Sequence, residues 1–130
     1  MTKIADAAFR GITDITSVVV GKNVTSIGAN AFFNCEWIAS VTLPDSLTYI
    51  GSAAFQNCRR LTKIDIPSGV SVIEESTFAY CTGLEEVNLN NVRELGERAF
   101  TNCSALKEIV IPDSVVTIGP EAFSVASALE

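Results

Sequence analysis

Phenylalanine recurs along the chain at a nearly constant interval. The intervals are 23 residues with a single step of 22, which places the rings at Phe9, Phe32, Phe55, Phe78, Phe100 and Phe123. A cysteine follows three residues after four of these phenylalanines, and an aliphatic residue follows six residues after each of them. A fixed period in the twenties indicates a solenoid, in which each repeat stacks on the next.

The same period divides the chain into short units within a single domain of 130 residues. The predicted units are a partial repeat and five full repeats, at 1–14, 15–37, 38–60, 61–83, 84–105 and 106–128. Residues 129–130 are either the start of a further repeat or a cloning scar. Since the first and last units are incomplete, we expect the chain to be a piece of a longer protein.

Each unit begins with the pattern of a strand. In the third unit, Ile64 and Ile66 alternate with polar residues, which is the two-residue period of a half-buried strand. A second short extended segment follows, and the spacing between Phe78 and Cys81 suits a single helical turn. We therefore predict an α/β solenoid of about five repeats of 22–23 residues. It is a right-handed coil with a parallel β-sheet on one face and short helical turns on the other.

The second unit carries the fullest set of recurring positions. Residues 38–58 read Ile-Ala-Ser-Val-Thr-Leu-Pro-Asp-Ser-Leu-Thr-Tyr-Ile-Gly-Ser-Ala-Ala-Phe-Gln-Asn-Cys. This string resembles the repeat of the BspA-like (Treponema-type) leucine-rich repeat family, and the resemblance covers essentially the whole chain. It implies a leucine-rich repeat coil in a cell-surface or secreted protein, since the family largely consists of bacterial and protist proteins that adhere to host proteins or other cells. The family's repeats carry no catalytic residues.

Charge is distributed unevenly along the chain. Residues 1–65 carry six Lys/Arg and five Asp/Glu, whereas residues 66–130 carry three and ten, so the halves have net charges of +1 and −7. Nucleic acids and anionic membranes bind clustered Lys and Arg, so we expect neither as a partner. No apolar run approaches the roughly 20 residues that span a bilayer. The first residues also lack the features of a secretory signal, so we expect no membrane insertion and no signal peptide in this chain.

The cysteines share one phase of the repeat and should form an inward column: Cys35, Cys58, Cys81 and Cys103. Neighbouring backbones in such a column are close enough for a disulfide, but parallel side chains point the same way rather than at each other. The chain has no histidine and no Cys-x-x-Cys pair, so the spacing typical of a zinc site is absent. We predict buried free thiols and no metal or cofactor.

Groups suited to catalysis are scarce. Without histidine, acid–base chemistry would fall to carboxylates, and Glu74-Glu75 and Glu85-Glu86 are the adjacent pairs. Consecutive residues on a strand point to opposite faces, so neither pair converges on a substrate. The sequence also lacks a phosphate-binding glycine loop. We predict that the protein is not an enzyme.

Some units depart from the repeat pattern. Glu74 replaces a glycine of the other units, so either its backbone geometry is ordinary or the third unit is strained. The fourth unit is one residue short, with Asn90-Asn91 in its turn. An asparagine precedes the cysteine at Asn34, Asn57 and Asn102, and we predict that its amide satisfies backbone groups of the turn.

The outward positions of the predicted sheet form a candidate protein-binding face. Inward positions stay aliphatic from unit to unit, whereas these change from small and neutral to charged. The face consists of Ser17, Val19, Ser40, Thr42, Lys63, Asp65, Glu86, Asn88, Glu108 and Val110. A broad sheet face is the usual binding surface of a solenoid. A merely soluble surface would show the same pattern.

Two aromatic residues form a second candidate site. Phe33 and Trp37 occupy phases that other units fill with polar or small residues, which predicts exposure. An exposed aromatic patch is suited to anchoring a partner. Packing against the incomplete N-terminal unit is the alternative explanation.

These observations favour a non-enzymatic protein-binding or adhesion module. The expected partner is a protein ligand, such as a host or extracellular-matrix protein. The alternative is a structural spacer or self-assembling module, because incomplete units leave apolar ends uncovered and such ends can stack into open chains.

Overall fold

A computed structural model describes residues 2–124, so the predicted features at residues 125–130 lie outside the described part of the chain. The described residues form a solenoid of short parallel strands and turns. The strands are β1 (Lys3–Ile4), β2 (Ser17–Val19), β3 (Ser26–Ile27), β4 (Ser40–Thr42), β5 (Tyr49–Ile50), β6 (Lys63–Asp65), β7 (Val72–Ile73), β8 (Glu86–Asn88), β9 (Glu94–Leu95) and β10 (Thr117–Ile118).

The strands pair in parallel at an offset of one period. The three-residue strands pair as β2–β4 and β6–β8, with Ser17 opposite Ser40 and Lys63 opposite Glu86. The two-residue strands form a second wall, ordered β1–β3–β5 and β10–β9–β7. This pairing confirms that successive units stack as equivalent rungs. Each wall is divided into separate sheets, however, so the single continuous sheet of the prediction is wrong.

The third wall consists of turns, and we call it the turn wall. It comprises residues 5–14, 28–37, 51–60, 74–83, 96–105 and 119–124. No helix occurs within residues 2–124, so the predicted helical turns are wrong and the fold is a β-solenoid. Every second amide bonds to the next coil, as when Phe55 donates to the carbonyl of Thr77 at 2.9 Å. The amides between them donate three residues back, as Gln56 does to Ala53 at 3.2 Å.

Residues in the left-handed backbone conformation explain why these turns do not become helices. Each of the first five coils of the turn wall holds two residues with positive φ, which reverses the chain before a second helical turn can form. The second of these is the asparagine that precedes the cysteine, with φ of 60° at Asn34, 64° at Asn57 and 59° at Asn102. Asparagine tolerates this conformation better than most residues. Asparagine therefore recurs here because it tolerates positive φ. The sequence had predicted a different reason, a hydrogen bond from the side-chain amide to the backbone.

The core consists of columns of identical side chains. The six phenylalanine rings stack with centroids 5.2–5.5 Å apart and ring planes within 11° of parallel. From Phe32 to Phe100 the rings are at most 2% exposed. The recurrence of phenylalanine is thus explained by burial of one ring on the next along the solenoid axis.

A recurring glycine marks the place where successive coils approach most closely. A Cβ atom at Gly51 would lie 2.4 Å from the backbone nitrogen of Ala29, and one at Gly96 would lie 2.8 Å from the carbonyl oxygen of Ile73. Among the described glycines only Gly11 has a positive φ, so space rather than φ requires glycine here. Glu74 occupies this position in the third full repeat without positive φ, so its geometry is ordinary.

Strand pairing is lost where Glu74 stands. Within residues 2–124, neither β4 and β6 nor β5 and β7 form a hydrogen-bonded pair, and we call this gap the Glu74 break. In the next coil, Gly96 is the residue equivalent to Glu74, and its amide donates a hydrogen bond to the carbonyl of Ile73 at 2.7 Å. The turn wall continues across the break, since Ala53 donates to Glu75 at 3.0 Å. We infer that the Cβ of Glu74 holds the two coils apart on their strand side.

Candidate protein-binding surfaces

All ten residues of the predicted sheet face are exposed. The Glu74 break divides them into a neutral panel and a charged panel. The neutral panel consists of Ser17, Val19, Ser40 and Thr42 on β2 and β4. The charged panel consists of Lys63, Asp65, Glu86 and Asn88 on β6 and β8, with Glu108 and Val110 beside it. The structure therefore brings the predicted residues together as two adjoining groups rather than one continuous face.

The charged panel is held in place by the strands and only weakly by its own charges. Lys63 Nζ lies 3.8 Å from Glu86 Oε2, and both side chains are more than half exposed. Exposed ion pairs of this kind contribute about 0–1 kcal/mol. Asn88 Oδ1 accepts a hydrogen bond from the Asn90 amide at 3.2 Å, which ties the end of β8 to the short turn that follows.

A shallow groove runs beside β8 on the charged panel. Its other side is residues 107–110, which form no strand in the described structure. Half-buried Val87 and Ile109 contribute apolar surface to the groove, and carboxylate and ammonium groups lie around them. The exposed Val110 adds an apolar contact at its edge. This combination suits recognition of another protein through charge, hydrogen bonds and a small apolar contact.

The two predicted aromatic residues have different environments. Trp37 is 46% exposed, and the Arg60 guanidinium lies 4.1 Å from the centre of its ring. Phe33 is half-buried, with the Arg10 guanidinium 4.9 Å from its ring centre. Phe33 therefore contacts the N-terminal coil, as the alternative explanation proposed. Sequence reasoning missed both arginines, although each has the same repeat phase as the aromatic residue it covers.

The four cysteines are buried free thiols, as predicted. Each Sγ donates to the carbonyl of a phenylalanine in the preceding coil, at 3.0–3.4 Å. Burial raises the pKa of Cys58 and Cys81, and raises that of Cys103 to about 12. A metal ligand or a nucleophile must be a thiolate, so these protonated thiols suit neither role. In the described part of the chain, no group of three or more acidic, cysteine or histidine residues could hold a metal ion.

A profile of the BspA type leucine rich repeat region matches residues 2–130 in six copies. The chain belongs to this family. The match confirms the resemblance first seen in residues 38–58. No curated protein sequence matches this BspA-type leucine-rich repeat chain.

Solved structures of bacterial proteins share the fold of this BspA-type chain. A leucine-rich cell surface protein from Faecalibacterium prausnitzii is 38% identical over the whole chain, with a TM-score of 0.91. The pneumococcal vaccine antigen PcpA (22% identical over 96% of the chain, TM-score 0.85) and a leucine-rich repeat protein from Bacteroides ovatus (24% over 92%, TM-score 0.68) show the fold alone. The chain spans 34–40% of the length of these proteins. Among the described residues, no helix has the length and apolar character to span a membrane.

Proposed function

We propose that this BspA-type leucine-rich repeat chain is a non-enzymatic protein-binding or adhesion module of a longer cell-surface protein. The observation that carries the proposal is the exposed charged panel, which presents side chains of both charges on rigid, paired strands. The 38% identical relative is described as a cell surface protein, which supports the location. The partner is a protein ligand, such as a host or extracellular-matrix protein.

The strands make the charged panel suitable for binding. Paired strands hold alternate side chains outward at fixed spacing, so little conformational freedom is lost when a partner binds. The exposed charges are not needed for folding, because their ion pair is weak in water. Their removal should therefore affect binding separately from stability.

Replacing Lys63, Asp65 and Glu86 together by alanine should weaken binding to an immobilised extracellular-matrix extract by about tenfold or more, the effect expected of central interface residues. The free energy of unfolding should change by only about 0.5 kcal/mol, because exposed substitutions rarely change it further. Biolayer interferometry measures the binding, and urea denaturation measures the stability.

The matched control replaces one cation and two carboxylates away from the sheet face. Lys22, Asp45 and Asp113 are exposed in turns and carry the same set of charges. The triple alanine variant at these positions should bind as the wild-type protein does. Equal binding by both triple variants would exclude the charged panel as the contact surface.

Exposed apolar side chains at both ends of the solenoid favour a second candidate function, end-to-end assembly. Phe9 and Ile12 are 38% and 37% exposed in the first coil, and Ile111 and Ile118 are 40% and 50% exposed in the last. Equivalent residues of inner coils are buried, as is Ile73 at 0%. Both ends present the same core columns, so the last coil of one copy matches the first coil of another, and such contacts extend into open chains.

Assembly predicts that the sedimentation coefficient rises with protein concentration. Ile118→Asp should abolish the rise, because a charge would enter the proposed apolar contact. Tyr49→Asp is the matched control, since Tyr49 is 47% exposed but lies on an inner coil. A monomer at every concentration, or an equal loss of assembly in both variants, would rule out stacking through the ends.

A further inference from the structure

Tyr80 occupies a backbone conformation that its side chain does not favour. Its φ is 62°, in the left-handed region. Within residues 2–124, the equivalent residues of the other coils are a glycine and three asparagines, at Gly11, Asn34, Asn57 and Asn102. These residue types enter the left-handed region more readily than a bulky aromatic does. Tyrosine at this position therefore lowers the stability of the protein relative to asparagine.

Tyr80 does not continue the hydrogen bonding of the asparagines at this phase. Asn57 Nδ2 donates to Asn34 Oδ1 at 2.7 Å, and Tyr80 interrupts this ladder of amides in the next coil. The Tyr80 side chain is 41% exposed, so much of its apolar surface remains in water. Residues kept in a strained conformation concentrate at functional sites. The Tyr80 ring is thus available to a partner on the turn wall.

Arg60 presents a guanidinium group on the coil that precedes Tyr80. Asn57 precedes Tyr80 by one coil, and Arg60 lies three residues after Asn57. The guanidinium lies over the Trp37 ring, whereas the neighbouring Arg59 pairs with Glu36 at 3.7 Å. No carboxylate within residues 2–124 forms an ion pair with Arg60. Stacking on the indole orients the planar group and leaves its N–H donors for another acceptor.

A glycine leaves space beside this arginine. Gly83 follows Arg60 at the same phase of the next coil, and it lies three residues after Tyr80. It has no side chain to cover the guanidinium from that side. Its coil packs tightly there, since a Cβ on Gly83 would lie 2.5 Å from the carbonyl oxygen of Arg59.

We propose that Trp37, Arg60 and Tyr80 form a second protein-binding surface, on the turn wall, for a segment that carries a carboxylate beside an apolar side chain. The carboxylate pairs with the two parallel N–H donors of Arg60. The apolar side chain packs on the Tyr80 ring over Gly83. Tryptophan, tyrosine and arginine are the residues that most often dominate binding energy. This surface is separate from the charged panel and does not depend on its function.

The single tryptophan of the chain makes the proposal directly measurable. Trp37 fluorescence reports on this surface alone. The probe is a short oligoglutamate peptide with one central leucine, and the control probe is the same peptide with glutamine in place of glutamate. The acidic peptide should change the Trp37 emission in a saturable manner at low salt, and added salt should weaken the binding. The glutamine peptide should not bind.

Tyr80→Asn is the decisive variant, because it should change stability and binding in opposite directions. It relieves the backbone strain at residue 80, and it removes the ring that contacts the peptide. We expect it to raise the unfolding midpoint and to weaken peptide binding by about tenfold or more. Arg60→Lys retains the charge and loses the planar pair of donors, so it should also weaken binding. Arg93→Lys is the matched control and should have no effect, because Arg93 lies outside the turn wall.

The outcomes that overturn the proposal are specific. Equal affinity of Tyr80→Asn and the wild-type protein would show that the strained ring is not used. Equal binding of the glutamine peptide would exclude the carboxylate, and equal binding of a short single-stranded oligonucleotide would indicate a general anion contact. The triple variant of the charged panel should bind the peptide normally, which separates this surface from the sheet face.

Discussion

Raising the pH from about 9 to about 11 is expected to unfold the protein under reducing conditions, because the buried thiols keep their protons in the folded state. Burial raises the pKa of Cys58, Cys81 and Cys103 in the folded chain. In the unfolded chain a cysteine titrates near about 8.5. Above that pH the unfolded state loses protons that the folded state retains, so stability is complete below about pH 8.5 and falls as the pH rises.

The expected loss is large. Each thiol lowers the free energy of unfolding by about 1.4 kcal/mol per pH unit until its folded pKa is reached, so three thiols lower it by about 4 kcal/mol per unit. Total stabilities of proteins are about 5–15 kcal/mol, so about one to four pH units suffice. Urea denaturation followed by circular dichroism at pH steps between neutral and alkaline conditions measures this slope.

Alanine substitutions attribute the slope to the thiols. Cys103→Ala should flatten the pH dependence by about 1.4 kcal/mol per unit. It should also lower the stability at neutral pH, because the Phe78 carbonyl loses the hydrogen bond from Cys103. The Cys58, Cys81 and Cys103 triple alanine variant should remove most of the slope. An unchanged slope in the single variant would show that this thiol ionises as freely in the folded state as in the unfolded chain.

Glu74→Gly is expected to stabilise the protein, although it removes a side chain. Without the Cβ of Glu74, the coils can close and the strands across the Glu74 break can pair. Each restored hydrogen bond contributes about 0.5–1.5 kcal/mol, and glycine costs about 0.5–1 kcal/mol in chain entropy. For the two amides of residues 71 and 74, the net gain in the free energy of unfolding is about 1 kcal/mol, measured by urea denaturation.

Hydrogen exchange locates the effect of this substitution. The amides of residues 71 and 74 should become protected, because the equivalent amides of Arg93 and Gly96 donate to Ser71 and Ile73 at 2.7 Å. Glu75→Gly is the control and should be destabilising, since Glu75 is exposed and no close contact is relieved.

The reverse substitution tests the same cause. Gly96→Glu should separate β7 from β9 and cost about 1–3 kcal/mol, because its Cβ would lie 2.8 Å from the Ile73 carbonyl oxygen. If Glu74→Gly left both stability and exchange unchanged, the side chain of Glu74 would not be the cause of the break.

The sequence predicted the stacking because equivalent residues repeat at one phase. A phenylalanine or cysteine at the same phase of each coil can be buried only if the coils superimpose, which the stacked rings and the thiol column confirm. The alternation of apolar and polar residues on the strands likewise predicted which side chains face outward, and all ten residues of the predicted sheet face are exposed. The same reasoning failed for the turn wall. Spacing between Phe78 and Cys81 is equally compatible with a helical turn and with a reversing turn whose amides bond to the next coil.

The periodic positions of this sequence by themselves determined the family, the parallel stacking and the composition of the core columns. Residues at the same position of successive repeats are buried against each other, so the repeat period is enough to predict these features. The tertiary structure alone decided the break at Glu74 and the placement of the Arg60 guanidinium over the Trp37 ring. Both depend on distances between neighbouring coils. A Cβ is tolerated or excluded by the backbone of the preceding coil, and an arginine is placed by the ring that the preceding coil presents, so no single repeat contains the information.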